Sequence, residues 1–209
     1  MKRKAEKVVN IIGMARSAKT APFGQGERWG INCAYVYGKM DRSFWLHHPT
    51  LIPQSLRIDS DTMNITQVIK SFPDMEIYTL DPLNIEESGN QEGPELTFNS
   101  DIQNPNGKVL ITTKGFPFQE FDDLFCVYST SSLMYVIGLA VLEKFDRVRL
   151  YGVEIWSGIS AGEYEFEREG IEHISMWAEG KGTHVEGIEQ IIKARNAAKG
   201  VNNRYGRVY

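Results

Sequence analysis

The stretch from residue 128 to residue 153 constrains the fold of this chain more than any other part of its sequence. Four Ser and Thr residues at 129–132 precede the apolar run 133–142, and such side chains start helices by accepting hydrogen bonds from free backbone N–H groups. The run is apolar nearly all round, so the predicted helix must be buried against a sheet. A predicted strand at 147–153 follows it. The stretch therefore predicts helices layered on a sheet.

Short apolar runs of strand length recur along the rest of the chain. They end at glycine, proline or polar residues and occupy 8–12, 29–37, 42–47, 75–80, 108–112 and 183–185. Apolar side chains at helical spacing predict helices over 63–72 and 165–180. Strands that alternate with helices predict an α/β fold, a single Rossmann-like domain with a mostly parallel sheet flanked by helices.

The charge pattern suggests where this domain is interrupted and where it ends. Residues 81–106 contain six acidic residues and neither Lys nor Arg, with Gly, Asn and Pro between them, which predicts a long surface excursion. Residues 193–209 contain five basic residues and no acidic one, and such a tail would suit a phosphate backbone. The predicted nucleotide-binding domain covers residues 1–192.

The overall composition is that of an ordinary globular protein. The chain has 209 residues, of which 42% are hydrophobic, and a net charge of -4. Its two cysteines, Cys33 and Cys126, are too few for a disulfide framework and lack metal-ligand spacing. No apolar stretch approaches the length of a membrane span, and no secretory signal is expected. These features predict a cytoplasmic protein with no membrane partner.

The candidate binding residues follow the ends of the predicted strands, where open parallel sheets bind their ligands. The turn that begins at Gly13 and includes Arg16 and Ser17 could bring backbone N–H groups to a phosphate, although a simple turn explains it equally well. Thr130, Ser131 and Ser132 could bind an anion or only cap the helix. Asn32, within an apolar predicted strand, could read a ligand or bond to a neighbouring loop.

Catalytic motifs are weak by comparison. The adjacent histidines His47 and His48 would point to opposite faces of a strand, so a metal site is not expected. The Gly-x-Ser-x-Gly string at 158–162 lacks the strand–turn–helix context of a hydrolase nucleophile. His173 lies in a predicted helix near Tyr164 and is a candidate general base. A histidine on the helix surface is the alternative interpretation.

Five segments in this order resemble a known superfamily: VVNIIGMARS, WGINCAY, FWLHHP, STSSLMYVIGLAVLEKFDRVRLYGVEIW and EYEFEREGIEHISMWAEGKGTHV. The chain resembles the Rossmann-like superfamily of Campylobacter-type sialyltransferases, motility accessory factors and 6-hydroxymethylpterin diphosphokinase-like proteins. It looks most similar to small phage-encoded members. The resemblance covers residues 8–188.

The resemblance implies roles for individual residues. In the sialyltransferases, the positions that match Gly13, Asn32 and 130–132 cradle the nucleotide. The position of Tyr164 matches a tyrosine that binds the leaving phosphate, and His173 is the closest match to the histidine that deprotonates the acceptor. Trp156 stands where the family has a second tyrosine, and an indole cannot act as an acid.

The leading hypothesis is a metal-independent glycosyltransferase-like protein that moves a sugar from a nucleotide-sugar donor to a hydroxyl. The acceptor is left open between a glycan, a small molecule and a modified nucleic-acid base. One alternative is a non-catalytic nucleotide-binding or virion-associated module. Another is a Mg²⁺-dependent diphosphokinase, for which Asp41, Asp81 and Glu154 are the nearest carboxylates. A homo-oligomer remains open.

Overall fold

The computed structural model describes residues 5–47, 69–90, 93–125, 131–153 and 161–189. The chain divides into two units, one formed by residues 1–27 and 119–209 and the other by residues 28–118. The extent of the predicted domain, residues 1–192, stays a prediction. So does the role of the basic tail 193–209, which lies outside the described residues.

A mostly parallel sheet of seven strands, with helices on its faces, confirms the predicted α/β fold. In chain order the strands of this sheet are interrupted by a second sheet, so they carry the numbers β1–β4 and β8–β10. Their order across the sheet is β10-β9-β1-β2-β3-β4-β8. Their bounds are β1 Val8–Ile12, β2 Glu27–Ile31, β3 Arg42–Trp45, β4 Glu76–Thr79, β8 Lys114–Gly115, β9 Arg147–Tyr151 and β10 His184–Glu186.

Within the described residues, the unit that holds the chain termini (the terminal unit) contains β1, β9, β10 and three α-helices. These are α1 Phe118–Phe125, whose first residue is counted with the other unit, α2 Ser132–Leu142 and α3 Ala161–Gly180. β9 pairs in parallel with both β1 and β10. Helix α2 is buried along most of its length, as its apolar sequence requires. It ends where Lys144 takes a left-handed φ of 59°.

Predicted helix bounds agree in part with the observed ones. Helix α3 begins at Ala161 rather than at the predicted residue 165. Of the predicted helix 63–72, residues 69–71 are helical and residues 63–68 lie outside the described residues. Helix α1 was not predicted from the sequence. It buries Phe121 and Phe125 on one face.

Two predictions are wrong for residues 28–118, which we call the middle unit. The strand predicted over 29–37 stops at Ile31, and a 3₁₀ helix covers Asn32–Tyr37. The predicted surface excursion 81–106 contains strands β5 Asn84–Asn90 and β6 Gly93–Asn99. With β7 Lys108–Thr112 they form an antiparallel three-stranded sheet in the order β6-β5-β7. The strand at 108–112 therefore exists as predicted but belongs to this second sheet.

Candidate functional site

The switch point of the main sheet lies between β1 and β9. From β1 the chain proceeds through β2, β3 and β4 on one side, and it returns to β9 on the other side. Open α/β sheets bind ligands outside the carboxyl ends of the strands at such a point. Gly13 follows β1 and Gly152 follows β9, so both glycines lie at the switch point.

Hydrogen bonds tie the turn after β1 to the end of β9. The N–H of Gly13 donates to Tyr151 O at 2.8 Å, and that of Ala15 donates to Gly152 O at 3.0 Å. The N–H of Gly152 donates in turn to Ser17 Oγ at 3.0 Å. These N–H groups and the Ser17 acceptor thus have protein partners. The predicted phosphate-binding roles of Gly13 and Ser17 remain predictions.

Both glycines permit a close approach of backbone to backbone. A Cβ on residue 13 would overlap the carbonyl oxygen of Gly152. Gly152 has a φ of +65°, and a Cβ there would lie 2.6 Å from Ala18 Cβ. Arg16 begins the adjoining 3₁₀ helix, Arg16–Thr20, and its side chain is exposed. It is the cationic candidate of this turn.

The start of α2 confirms the capping interpretation. Ser131 is the N-cap residue, and its Oγ accepts a hydrogen bond of 3.2 Å from Leu133 N. Ser132 is the first helical residue and is half-buried. Thr130 lies outside the described residues. Anion binding by Thr130, Ser131 and Ser132 stays a prediction.

Asn32 lies at the carboxyl end of β2 in a strained conformation. Its φ is 52°, one of two positive values at non-glycine positions in the described part of the chain. Its Oδ1 is buried and has no hydrogen-bond partner within the described ranges. A buried polar atom without a partner costs free energy unless something else satisfies it. The geometry makes Asn32 the strongest binding candidate in the middle unit.

Three further polar atoms, in β3 and just after it, are also buried without a hydrogen-bond partner among the described residues. These are Ser43 Oγ, Trp45 Nε1 and His47 Nε2. Ser43 and Trp45 are two residues apart in β3, so their side chains lie on one face of the sheet. His47 follows two residues after the end of β3. Ser43 and Trp45 are each 0% exposed.

Ile31, the last residue of β2, pairs with Phe44 of β3. Asn32, the first residue of the 3₁₀ helix, therefore follows β2 beside the carboxyl end of β3. We call Asn32, Ser43, Trp45 and His47 the unpaired polar group. Of these residues, the sequence pattern pointed to Asn32 alone as a binding candidate. His47 was considered only as a metal ligand, and Ser43 and Trp45 were missed. The signal would have been a polar atom at every second position of an otherwise apolar strand.

The 3₁₀ helix that begins at Asn32 buries Cys33, Ala34 and Tyr35. Burial raises the pKa of the Cys33 thiol, so this thiol is a poor nucleophile. Burial also raises the pKa of Tyr35. The guanidinium of Arg28 donates to Lys39 O and Tyr37 O at 3.0 and 3.2 Å, which fixes the end of the 3₁₀ helix.

The candidate catalytic residues are on or before α3. His173 is exposed, as is Met176 one turn further along, whereas Ile171, Ile174 and Ala178 are buried. Tyr164 lies in the first turns of α3, and its side chain is outside the described residues. Trp156, Glu154 and most of the Gly-x-Ser-x-Gly string also lie outside them.

Among the described residues, no three His, Cys, Asp or Glu side chains group as metal ligands would. Within the same ranges, no helix has the length and apolar character needed to cross a membrane. Comparison with known proteins gives no match of significance to a family model, to a curated protein or to a solved structure.

Proposed function

We propose that this protein binds a nucleotide-activated sugar at the carboxyl edge of its parallel sheet and transfers the sugar to a hydroxyl acceptor without a metal. The observation that carries the proposal is the buried, unpartnered Oδ1 of strained Asn32. Strained residues cluster at ligand sites, where binding offsets their cost. The topology favours the same edge of the sheet.

The unpaired polar group has the chemistry needed to recognise a neutral, flat, hydrogen-bonding part of a ligand. Asn32 Oδ1 accepts, Trp45 Nε1 donates, and His47 Nε2 accepts or donates according to its tautomer. A nucleobase presents donors and acceptors of both kinds along its edge. No member of the group carries a fixed charge, so we assign this group to the nucleoside rather than to the phosphates.

In the proposed reaction, His173 takes the proton from the acceptor hydroxyl as that oxygen attacks the anomeric carbon of the sugar. The bond from that carbon to the phosphate oxygen breaks, and the nucleotide leaves with the electron pair. Tyr164 stabilises the negative charge on the departing phosphate. His173 is exposed and lies in the half of α3 that leads to the amino end of β10, and no contact among the described residues joins it to the carboxyl edge. Its proposed role therefore rests on the resemblance and not on its position. Loss of a general base typically lowers turnover by about 10²-fold or more.

The first test is equilibrium binding of nucleotides and nucleotide sugars by calorimetry, in EDTA and in Mg²⁺. We expect one nucleotide sugar to bind in EDTA. The variant Asn32→Gly removes the amide and relaxes the positive φ, so it should stay folded and lose affinity by about tenfold or more. Asn106→Gly, an exposed position in the second sheet's connection, is the matched control. Unchanged affinity in Asn32→Gly would refute the assignment.

The exposure of His173 also favours a second candidate, a nucleotide-binding module without catalysis. Product formation distinguishes the two candidates. If the protein binds a donor but neither it nor His173→Ala forms product with any acceptor class, the module is the better description. A requirement for Mg²⁺ and ATP would instead favour diphosphate transfer. DNA binding that weakens steeply with salt would support a nucleic-acid acceptor and the participation of the tail 193–209.

A further inference from the structure

A cleft lies at the end of the terminal unit opposite the switch point. Its volume is about 330 Å³, and it is bordered by the last turns of α1, α2 and α3. The residues just before β9 and β10 complete its wall. It is therefore at the amino ends of these strands, whereas the proposed nucleotide site is at carboxyl ends. Small-molecule sites begin at about this volume.

The wall of this cleft is mainly apolar. Leu124 comes from α1, Leu142 from α2, and Trp177 from α3, with Phe145 beneath them. Leu124 is 39% exposed although it is a large apolar residue. The ring of Trp177 lies 4.1 Å from that of Phe125, at 49°, so neighbouring aromatic packing restricts its position. The wall presents a fixed indole to a ligand.

The polar groups inside the cleft already have protein partners. Thr183 Oγ1 donates to Phe145 O at 2.7 Å. The carboxylate of Asp146 accepts from the backbone N–H of Lys7 at 2.7 Å. The interior consequently favours an apolar ligand body over a polar one, because a polar body would lose its hydration without new partners.

Two lysines at the rim supply charge. Lys144 follows α2 and Lys181 follows α3, and both side chains are exposed. Neither forms an ion pair with any described residue. Lys181 Nζ lies 5.2 Å from the centroid of the Trp177 ring. Lys144 holds its place in a left-handed conformation, φ 59°, which costs a lysine more than it would cost a glycine. Among the described lining residues, two side chains are cationic and one, Asp146, is anionic, so the rim keeps an excess of positive charge beside the aromatic wall.

We propose that this cleft binds a small amphipathic anion, an aromatic carboxylate or sulfonate. The flat apolar body lies against Trp177 and Leu142, and the acid group lies between the ammonium groups of Lys144 and Lys181. This site is separate from the nucleotide site, and it does not depend on the proposed transferase activity.

The test uses 2-naphthoate as the probe and uncharged 2-naphthamide as its matched control, with the full chain followed by ¹H–¹⁵N NMR. We expect saturable shifts at the Trp177 indole N–H and at the backbone of residues 181–183. Naphthoate should bind about tenfold more tightly than naphthamide, as is typical of a hydrogen bond to a charged group. Lys144→Gln and Lys181→Gln should each weaken naphthoate severalfold and leave naphthamide unchanged.

A control variant tests whether the loss of any exposed lysine weakens naphthoate binding. Lys108→Gln removes an exposed lysine from β7 in the other unit and should leave both affinities unchanged. Equal affinities for naphthoate and naphthamide would overturn the proposal. So would shifts spread over both units, or no saturation at millimolar probe.

Discussion

The Oγ of Ser17 accepts a 3.0 Å hydrogen bond from the backbone N–H of Gly152. These residues are separated by most of the chain, and this bond joins the turn after β1 to the end of β9. Gly152 is buried, so its N–H has lost its hydrogen bond to water. The Ser17 hydroxyl is the acceptor that this N–H uses instead.

Replacing Ser17 should therefore lower stability whatever ligand the site takes. In Ser17→Ala the buried N–H loses its acceptor, and we expect the free energy of unfolding to fall by about 1–3 kcal/mol. Thr20→Ala is the control, because its hydroxyl bonds to Ser17 O in an exposed position. Urea denaturation measures both. An equal loss in the two variants would show that burial of this N–H contributes nothing.

Two glycines in helices should respond in opposite directions to alanine. A Cβ on Gly138 would come within 2.9 Å of Phe121 Cδ2 and closer still to its neighbour in the ring. Phe121 is 0% exposed and stacks on Phe125, so it cannot move aside. We expect Gly138→Ala to lower the free energy of unfolding by about 1–3 kcal/mol.

The matched substitution is Gly180→Ala at the end of α3. Nothing lies within 4 Å of its Cβ position, and alanine is the better helix former by up to about 1 kcal/mol. Thermal unfolding should show a lowered Tm for Gly138→Ala and an unchanged or raised Tm for Gly180→Ala. A raised Tm in both would contradict the packing of Phe121 against α2.

Two substitutions of Asn32 should distinguish the effect of backbone strain on stability from the effect of the side-chain amide on binding. Its φ of 52° suits glycine and strains alanine, so Asn32→Ala should be less stable than Asn32→Gly by about 1 kcal/mol. Both variants lack the amide and should bind the donor equally poorly. Chemical denaturation and calorimetry on the same preparations check the two statements. Equal stability would mean that residue 32 does not hold a left-handed conformation.

Acid should weaken the middle unit through Glu76. A hydrogen bond from Lys114, with the nearby charge of Arg42, holds the pKa of this carboxyl below the 4.5 of a free glutamate. The unfolded chain then takes up the proton first, so this contribution is complete above about pH 4.5 and is lost as the pH falls through the folded-state pKa. The pair is partly exposed, so the effect should be at most about 1 kcal/mol.

Glu76→Gln should make the decline of stability between neutral pH and pH 3 shallower. Glu120→Gln, an exposed position in α1, serves as the control and should leave the slope unchanged. The measurement is the urea midpoint across a pH series. An identical slope in the Glu76 variant and the parent would mean that the ion pair with Lys114 has no effect on folding.

The main sheet and α2 could be predicted because their signals are local. The apolar run after Ser131 needs only a cap and a sheet to cover it, and both are present. The run at 8–12 is a buried parallel strand, as its β-branched residues indicate. In the strand at 147–151, buried and half-buried residues alternate, with Val148 and Leu150 on the buried face. Periodicity within a few residues was sufficient in these cases.

The second sheet could not be predicted because its stability depends on distant partners. Glu86 in β5 is 0% exposed, and its carboxylate accepts from Asn99 Nδ2 and from Asn106 N. Those donors are 13 and 20 residues away in sequence. A polar, acidic segment therefore looks like a surface loop until its pairing is known. The end of β2 was predicted wrongly for the opposite reason. The apolar run continues past Asn32, although the strand ends at Ile31 and the chain turns into a 3₁₀ helix there.

The strand that precedes this second sheet in the chain, β4, and the strand that follows it, β8, are neighbours in the main sheet. β4 and β8 pair directly, Thr79 opposite Gly115, and the hydroxyls of Thr79 and Thr113 lie 2.6 Å apart. The chain thus leaves the parallel sheet and re-enters it at adjoining points. An insertion attached in this way can be lengthened, shortened or exchanged in evolution without breaking the strands that carry it. Relatives of this protein should differ most between residues 80 and 113, and a short turn in place of that segment should still allow β4 to meet β8.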